Sequence, residues 1–360
     1  MTWVGNMRVG KAPSDFAVQV SVIVLAYGAE PYLRACIDAI LTSVDAAGEA
    51  VDLELILVDN GAAAAVAGVD PDSRVRIVRS PKNLGFAGGC NVGVGQARGR
   101  DLVFVNSDAI VAADAIYWLT SALTDPGLGI VTAAVRLADE PDLMNTAGNP
   151  VHYLGVVWAG GFGEPHEQHA ERADVASASG AFFAVRHDRW DELGGFDNQY
   201  FAYHEDTDLS LRAWQRGYRV QYEPAAIARH HYEFSRNPTK QYLLERNRWI
   251  TVLTVFPGPV LAGVLPPLLA FEMPLCALAL SQGWLRDKLR SYRWLIAHHR
   301  YLRQRRRRVQ DANRMLPAEF CRLLSSRIEP AMVERPRGFR VLNFVLQHYW
   351  ALFRTLAGLR

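Results

Sequence analysis

Apolar and polar positions follow first a strand-like and then a helix-like period near the start of the chain. Val18 to Ala26 (VQVSVIVLA) is a short run rich in β-branched residues, typical of a strand buried on both faces of a parallel sheet. After the polar break at Tyr27 to Glu30, Pro31 suits a first helical turn, and apolar side chains recur at helical spacing at Leu33, Ile37, Ile40 and Leu41. A second apolar run, Leu53 to Val58, ends at Asp59-Asn60-Gly61. The pattern predicts a strand, a helix and a second strand.

The alternation continues through the next two apolar runs. Val75 to Val78 and Asp101 to Val105 predict further strands, with a glycine-rich, helix-like segment from Asn83 to Arg98 between them. Strands that alternate with helices indicate a doubly wound α/β sheet with right-handed crossovers. Ligands bind beyond the carboxyl ends of the strands in such sheets, and Asp59 and Asn106-Ser107-Asp108 fall there.

The middle of the chain has a weaker pattern. From about Asp125 to Asp174 we expect mostly loops. Ordered elements are expected again at Ala178 to Val185 and at Trp190 to Phe196, and a polar loop then leads into a helical pattern at Leu209, Leu211 and Trp214.

Residues 251–281 are apolar, with Glu272 as the only charge. Proline disrupts helices, and this stretch contains five prolines, at Pro257, Pro259, Pro266, Pro267 and Pro274. We therefore expect two short helices in a membrane interface and no straight membrane-spanning helix. A basic run over residues 286–308 follows, in which Asp287 is the single acidic residue. We expect this run to lie against anionic headgroups.

Composition bounds the class of protein. The chain has 360 residues, of which 50% are hydrophobic, so one large core with an appendage is expected. The four cysteines, at 36, 90, 276 and 321, show no paired spacing, which predicts reduced thiols in a cytoplasmic protein. The first residues lack the apolar run of a signal peptide, and we expect residues 1–16 to form a tail.

Acidic residues at two predicted strand ends are candidates for metal and nucleotide binding. A divalent cation neutralises a leaving diphosphate, and Asp108 supplies a carboxylate directly after a buried strand. A lone Asp at a strand end is more often a turn or cap residue, and Asp59 has the same alternative. Two such ends in one sheet favour a binding role more than either does alone.

The segment NLGFAGGCN, residues 83–91, is a candidate phosphate cradle, because glycines let backbone N–H groups approach an anion near a helix N-terminus. It matches neither the P-loop nor the dinucleotide fingerprint. A packing role for these glycines stays open.

Glu205, Asp206 and Asp208 form an acidic cluster before an amphipathic helix. Stabilisation of the helix dipole explains one carboxylate, but not all of them. Like charges raise one another's pKa, which makes a carboxylate a usable proton acceptor near neutrality. The pair His230-His231 is a candidate for metal or phosphate contact, although such pairs are usually solvated or hydrogen-bonded.

Taken together, these motifs resemble family 2 glycosyltransferases of the glycosyltransferase-A fold, and among them bacterial rhamnosyltransferases that extend lipid-linked glycans. The resemblance covers Val18 to Trp249. It is carried by VSVIVLAYGAEPYLRACIDAI, LILVDNG, NLGFAGGCNVGV, VFVNSDAIV, GAFFAVRHDRWDELGGFDNQYFAYHEDTDLSLRAWQRGY and HHYEFS. It implies an α/β, Rossmann-like catalytic domain over 17–249 and a helical, membrane-associating region over 250–360.

The resemblance also implies roles for individual residues. Asp108 takes the place of a metal ligand in an Asp-X-Asp motif in which Asn106 replaces the first Asp, and the metal is Mg²⁺ or Mn²⁺. One of His230 and His231, with His230 favoured, matches the late histidine that reaches the metal or the diphosphate. Asp206, beside Glu205, is the catalytic base. Asp59 contacts the base or ribose, and the nucleotide sugar is further bound by Ala26, Tyr27, Glu30, Asn60, Asn83, Gly85, Gly88, Asn91, Asn106 and Ser107. The acceptor side is formed by Gly180, Gly195, Phe196, Tyr203 and His204.

The expected reaction is inverting transfer from a dTDP- or UDP-sugar, with dTDP-rhamnose as the first candidate, to a hydroxyl of a lipid-linked or polysaccharide acceptor. We expect the enzyme at the inner face of the cell membrane, attached peripherally to its anionic surface, with a second copy of the chain as a candidate partner. A nucleotidyltransferase is the main alternative, but Ala26 to Glu30 is not the glycine-rich basic loop it needs. A membrane scaffold without activity is the other, and the basic run lacks the aromatic platform of a nucleic-acid binder.

Overall fold

The computed structural model describes residues 16–232, 239–330 and 338–359. The expected N-terminal tail therefore lies outside the described residues, apart from Phe16.

The first part of the chain forms a parallel sheet with helices on both faces. The strands lie in the order β3 (Val75–Arg79), β2 (Leu53–Asp59), β1 (Val18–Ala26) and β4 (Gly99–Asn106), and all are parallel. Val22 and Val24 of the central strand pack with the helix after it, whereas Ile23 packs with Ala87 of the glycine-rich helix. The elements are β1 Val18–Ala26, α1 Leu33–Leu41, β2 Leu53–Asp59, α2 Ala63–Ala67, β3 Val75–Arg79, α3 Gly85–Val94 and β4 Gly99–Asn106. All four predicted strands are confirmed.

The sheet continues as a mixed sheet in the order β4-β10-β6-β11-β5. β10 is antiparallel to both of its neighbours, while β6 and β11 are parallel to each other. The elements are β5 Ala109–Val111, α4 Ala115–Ala122, β6 Leu128–Leu137, β7 Met144–Thr146, β8 Val151–His152, β9 Ala173–Asp174, β10 Phe182–Arg186, α5 His187–Leu193, α6 Glu205–Gln215 and β11 Arg219–His230, with 3₁₀ turns at His166–His169 and Asn198–Tyr200.

The expectation of loops from Asp125 to Asp174 is wrong for β6. Leu128–Leu137 (LGIVTAAVRL) is a ten-residue strand inside the sheet. Its glycine and alanines have weak strand propensity, and burial between β10 and β11 outweighs that propensity.

The C-terminal part is helical, which confirms the predicted α/β fold followed by helices. Helix α7, Lys240–Val255, runs across position 249, at which the sequence suggested a domain boundary. The short strand β12 pairs with β8 and so ties the helices to the middle of the chain. The elements are α7 Lys240–Val255, α8 Gly258–Ser281, α9 Leu285–Ala297, α10 His299–Asp311, α11 Pro317–Leu323, β12 Leu324–Ser325 and α12 Phe339–Leu356.

The prediction of two short helices over residues 251–281 is wrong. α8 is one helix of 24 residues that contains Pro266, Pro267 and Pro274. Close packing on α12 supports it: a Cβ at Gly263 would lie 2.1 Å from the ring of Phe353. Within the described residues, α8 is the one helix whose length and composition would allow it to cross a membrane, and 28% of its most apolar window is buried.

Two members of the basic run find their anionic partners inside the protein, contrary to the expectation that the run faces headgroups. Lys288 is fully buried, and its Nζ lies 2.6 Å from both Glu245 and Glu272. Arg305 is buried between Asp197 and Asp208, at 2.7 and 2.5 Å. Other arginines of the run are exposed, namely Arg286, Arg290, Arg293, Arg300, Arg303, Arg307 and Arg308.

Candidate active site

The carboxyl ends of β1, β2 and β4 meet at one edge of the sheet. Ala26 lies in register with Asp59, and Leu25 lies in register with Asn106. The fold thus brings together three of the residues that the sequence assigned to nucleotide-sugar binding.

Glu30 joins the loops that follow β1 and β4. Its Oε1 accepts a hydrogen bond from the Tyr27 N–H at 3.0 Å, and its Oε2 accepts one from the Ser107 hydroxyl at 2.9 Å. Tyr27 is 53% exposed, and its ring lies over Gly61 beside Asp59. An exposed ring at this edge is a surface on which a flat base can stack.

Asp59 stabilises a turn at the end of β2, which was the alternative to a binding role for this residue. Its Oδ1 accepts hydrogen bonds from the N–H groups of Gly61 and Ala62, at 3.1 and 2.8 Å. The side chain is held in place by these bonds, and Oδ2 is the carboxylate oxygen that they do not use.

Asn60 and Asn83 shape the loop before α3. Asn60 Oδ1 accepts from the Leu84 N–H at 2.8 Å, and its Nδ2 donates to Asn83 Oδ1 at 3.0 Å. Asn83 Oδ1 in turn accepts from the Gly85 N–H at 2.8 Å. Both asparagines are therefore used in holding the loop.

The glycines of the candidate phosphate cradle have a packing role. Gly85 has a φ of +70°, and a Cβ there would lie 2.3 Å from the Phe201 carbonyl oxygen. A Cβ at Gly88 would lie 2.9 Å from Leu84. The Ala87 N–H at the helix N-terminus donates to the Phe201 carbonyl at 3.1 Å, so a protein carbonyl occupies a position that the cradle would offer to phosphate.

Asn91, Gly195 and Phe196 belong to one packed turn. Asn91 Nδ2 donates to the Phe196 carbonyl at 2.8 Å, and the Gly195 carbonyl accepts from Arg212 at 2.8 Å. Phe196 is 3% exposed and packs edge-on against Trp190. The Phe196 ring is a core side chain and does not line an open acceptor site.

Asp108 and His230 come together, although they are far apart in the sequence. His230 Nε2 lies 3.0 Å from Asp108 Oδ1, and its Nδ1 lies 3.1 Å from Asn145 Oδ1. Asp108 Oδ1 can only accept, so the Nε2–H of His230 donates to it in this arrangement. A metal ion between the two side chains would require the other tautomer, in which Nδ1 carries the proton toward Asn145 Oδ1 and Nε2 presents its lone pair. His231 instead stacks on the ring of Tyr32, at 3.6 Å. Of the two histidines, His230 is the one placed to act with Asp108.

A divalent cation fits this pair if phosphate oxygens complete its shell. One carboxylate and one imidazole are suitable ligands for Mn²⁺, and a carboxylate with phosphate oxygens suits Mg²⁺. Among the residues that the structure describes, no cluster of three or more His, Cys, Asp and Glu side chains could hold a metal ion. The substitution of the first Asp of the motif by Asn106 agrees with this small ligand set.

Glu205 and Asp206 begin α6 and face different surroundings. Asp206 Oδ2 accepts from the Gly180 N–H at 2.9 Å, and its Oδ1 accepts from the Thr207 N–H at 2.6 Å. Burial raises the pKa of Asp206, against the lowering effect of these bonds. Glu205 is 5% exposed, and its Oε2 has no hydrogen-bond partner among the described residues. Burial and the charge of Asp206 raise the pKa of Glu205 well above its usual value.

The third acid of the cluster has a structural role. Asp208 is completely buried, and it accepts hydrogen bonds from Arg212 at 2.9 Å and Arg305 at 2.5 Å. The phenol of Tyr200 donates to it as well, at 3.2 Å. Asp208 is therefore neutralised by cations and is not available to a ligand.

The loop before α6 holds an unusual backbone. Phe201, Tyr203 and His204 all have a φ between 64° and 69°, a region that costs non-glycine residues free energy. Burial, with the charge of Arg248, lowers the pKa of His204 to about 4, so its ring is neutral. Of the residues assigned to the acceptor side, Gly180 touches Asp206, while Tyr203 and His204 form this loop.

Asn247 of α7 holds the backbone of this loop in place, a role that was not predicted from the sequence. Its Nδ2 lies 2.9, 2.8 and 2.7 Å from the carbonyl oxygens of Tyr200, Ala202 and Tyr203. Arg246 adds hydrogen bonds to the Gln199 and Tyr200 carbonyls at 2.7 Å each. The polar triplet Arg246 to Arg248 within an apolar helical pattern was the available signal. Asn145, which orients His230, lies in the stretch that was expected to be loop.

Comparisons with known proteins agree with this geometry. The chain is 27% identical over 238 residues to an N-acetylglucosaminyl-diphospho-decaprenol L-rhamnosyltransferase of Mycobacterium tuberculosis, covering 58% of this chain and 75% of that relative. It is 25% identical over 176 residues to a probable glycosyltransferase of Bacillus subtilis, YdaM, covering 48% of this chain and 40% of the relative. The chain thus spans less than half of that relative's length.

A solved structure shares the fold. The crystal structure of GalNAc-T7 with UDP, GalNAc and Mn²⁺ superposes with a TM-score of 0.54 at 14% identity, over 67% of this chain and 48% of the other. The model of the family described as "Glycosyltransferase like family 2" matches residues 18–251, which include every strand of the large sheet. The chain therefore belongs to this family and is a family 2 glycosyltransferase.

Proposed function

We propose that this enzyme transfers a sugar, with inversion, from a nucleotide diphosphate to a hydroxyl of a lipid-linked or cell-envelope glycan. L-Rhamnose from dTDP-rhamnose is the first candidate, because the Mycobacterium relative is named for rhamnosyl transfer to a diphospho-decaprenol acceptor. The observation that carries the proposal is the placement of Asp108 with His230 at one sheet edge and of Asp206 at the start of α6.

The donor binds at the carboxyl edge of β1, β2 and β4. The exposed ring of Tyr27 stacks on the base, and Asp59, with Oδ1 used in its turn, offers Oδ2 to the base or ribose. Glu30 ties the Tyr27 loop to Ser107, so the two walls of the nucleotide site are positioned together.

Asp108 and His230 would hold the divalent cation, Mg²⁺ or Mn²⁺. When bound, the cation supplies charge neutralisation to the departing nucleoside diphosphate. With the cation bound, Asn145 Oδ1 would accept the Nδ1 proton of His230 and so leave the Nε2 lone pair for the cation.

Asp206 accepts the proton of the acceptor hydroxyl. The acceptor oxygen forms a bond to the anomeric carbon as the bond from that carbon to the diphosphate oxygen breaks, and the proton passes to the Asp206 carboxylate. One displacement of this kind inverts the anomeric centre. The raised pKa of Glu205 favours the protonated form of that acid, which limits the negative charge next to Asp206.

The helical region would attach the enzyme to the inner face of the cell membrane. α8 exposes apolar side chains such as Leu269, Met273 and Leu280, and α12 exposes Phe344 and Leu356. The outward arginines of α9 and α10 supply charge for anionic headgroups.

The rate of sugar transfer by the variant Asp206→Asn tests whether Asp206 is the catalytic base. Sugar transfer from dTDP-rhamnose and a panel of UDP-sugars to a lipid-diphosphate acceptor is measured with Mn²⁺, alongside donor binding by calorimetry. We expect Asp206→Asn to lower transfer by about 10²–10⁴-fold and to keep donor binding. Glu205→Gln is the comparison variant, because its amide mimics a protonated acid.

Loss of transfer in Glu205→Gln with retention in Asp206→Asn would assign the base to Glu205. Release of pyrophosphate from a nucleoside triphosphate and a sugar 1-phosphate, with no sugar transfer from the nucleotide sugars, would favour a nucleotidyltransferase. Vesicle binding with no turnover on any donor would favour the scaffold.

A further inference from the structure

Two arginines lie side by side on the face of the sheet opposite the His230 side chain. Arg136 of β6 and Arg229 of β11 are register partners in parallel strands, so their side chains leave the same face about 4.8 Å apart. Like charges directly opposite each other in a sheet destabilise it. Such a pair is retained most readily where an anion lies between the two charges.

Within residues 16–232, 239–330 and 338–359, no hydrogen bond or ion pair joins the side chain of Arg136 to another residue, and Arg229 beside it is exposed to solvent. Arg136 Nε is buried and without a hydrogen-bond acceptor. Other arginines near these strands are paired, since Arg172 contacts Glu223 at 2.5 Å and Arg219 contacts Asp125 at 2.6 Å. A buried donor without an acceptor is costly unless a ligand supplies one.

Arg136 opens onto a cavity of about 280 Å³. The imidazoles of His166 and His169 also line it, together with Met144 and Tyr222. His169 Nε2 contacts Glu164 at 2.8 Å, and the Tyr222 hydroxyl donates to the His169 carbonyl at 3.0 Å, so this wall is held in place. One water molecule occupies ~30 Å³ in the liquid, so this cavity is large enough to admit a diphosphate group.

The cavity is separate from the candidate metal centre. His230 pairs with Leu137, one position beyond Arg229 and Arg136, and successive side chains of a strand point to opposite faces. His230 and Asn145 therefore lie on one side of β11, and the arginine pair lies on the other.

We propose that Arg136 and His166, which line the cavity, form a second anion site that binds a phosphate or diphosphate group, with the exposed Arg229 beside Arg136 as a further donor. Guanidinium groups bind phosphate oxygens through paired N–H donors, and an imidazole adds a further donor. The group comes from the acceptor, as a lipid-borne diphosphate, or from a phospholipid headgroup or free anion; the chemistry of recognition is the same.

Calorimetric titration with inorganic pyrophosphate in EDTA tests the site without metal and without sugar transfer. We expect the double variant Arg136→Gln/Arg229→Gln to bind pyrophosphate at least tenfold more weakly than the wild type. Arg219→Gln, which removes an arginine of the same strand, and Asp108→Asn, which alters the metal centre, should bind as the wild type does. Unchanged circular dichroism and melting temperature establish that the double variant is folded.

Equal pyrophosphate affinity of the double variant and the wild type would overturn the site, as would loss of affinity in Asp108→Asn alone. Vesicles that carry a lipid-linked diphosphate are compared with phosphatidylglycerol vesicles to identify the source. Arginine-dependent binding to the first alone assigns the acceptor, and equal dependence with both assigns a headgroup. Because no arm requires turnover, failure of the anion site and failure of the proposed transfer are separate results.

Discussion

Two pairs of buried acids, one at the start of α6 and one on α7 and α8, have opposite electrostatic surroundings. Glu205 and Asp206, at the start of α6, have no arginine or lysine among their described hydrogen-bond partners, and burial raises the pKa of both. Burial would also raise the pKa of Glu245 and Glu272, but Arg248 and Lys288 more than offset it, so both stay below the usual value.

The difference separates a structural acid from a chemical one. A carboxylate paired with cations is ionised over a wide range of pH and holds helices together, as Glu272 does between α7, α8 and α9. A buried carboxylate without a cation binds a proton readily, which is the property that a general base needs. The position of the cations therefore distinguishes the two kinds of acid better than their spacing in the sequence does.

Removal of a buried cation should have the largest effect on this comparison. Arg305→Met removes the ion-pair partner of Asp197 at 2.7 Å and one of the two arginines that contact Asp208, at 2.5 Å, and leaves Arg212 as the other. Because uncompensated buried charge is strongly unfavourable, we expect the free energy of unfolding to fall by about 3–5 kcal/mol in urea denaturation. Arg303→Met, at an exposed position of the same helix, should change it by less than about 0.5 kcal/mol. Equal losses in both variants would show that the pairing of Asp208 is not what stabilises this region.

The loop that presents the unpaired acids offers a second test. Asn247→Ala removes the donor to the carbonyls of Tyr200, Ala202 and Tyr203 and releases the backbone before Asp206. We expect kcat to fall about 10²-fold while KM for the donor stays within a factor of two or so, because the base is misplaced and the nucleotide edge is untouched.

Asn343→Ala is the matched control for this variant. Asn343 is also a buried asparagine of a helix, and it bonds to the backbone of Ile328 at 2.9 Å, in the C-terminal region. It should lower stability and leave kcat unchanged. An equal fall of kcat in both variants would assign the effect of Asn247 to general loss of stability.

The pH dependence of stability gives the smallest and most direct contrast. The pKa of Glu205 in the folded state lies well above the ordinary 4.5, so its stabilising contribution is complete below pH 4.5 and is lost as pH rises toward the folded value. Each pH unit in that window costs about 1.4 kcal/mol. Glu205→Gln should flatten this part of the profile measured by urea denaturation. Parallel profiles for the variant and the wild type would contradict a protonated Glu205.

Glu245→Gln should act on the other limb of the profile. Its pKa is lowered in the fold, so the stability that it contributes is present above pH 4.5 and is lost as pH falls below that value. The two variants should therefore change opposite sides of the same curve.

Local pattern was sufficient to predict β1 to β4, α3 and the sheet edge with Asp59 and Asn106. A buried parallel strand must be a short apolar run, and the residue after it must lie at the edge, so both facts are written in neighbouring positions. It was insufficient for β6, whose alanines and glycine form a strand because two neighbours cover it. It also failed at α8, where contacts with α12 support a proline-containing helix.

The roles of single charged residues were decided by the tertiary structure. Asp206 and Asp208 are two positions apart on one helix, yet only Asp208 meets Arg305, which is 97 residues away. Lys288 and Arg305 are buried in a basic run most of whose other members are exposed, and nothing in the sequence of that run marks them as internal. The sequence by itself determined the fold class and the edge at which chemistry occurs. The protonation and partners of each acid depended on burial and on charges brought from distant segments, because electrostatic energy depends on distance in space and on solvent access.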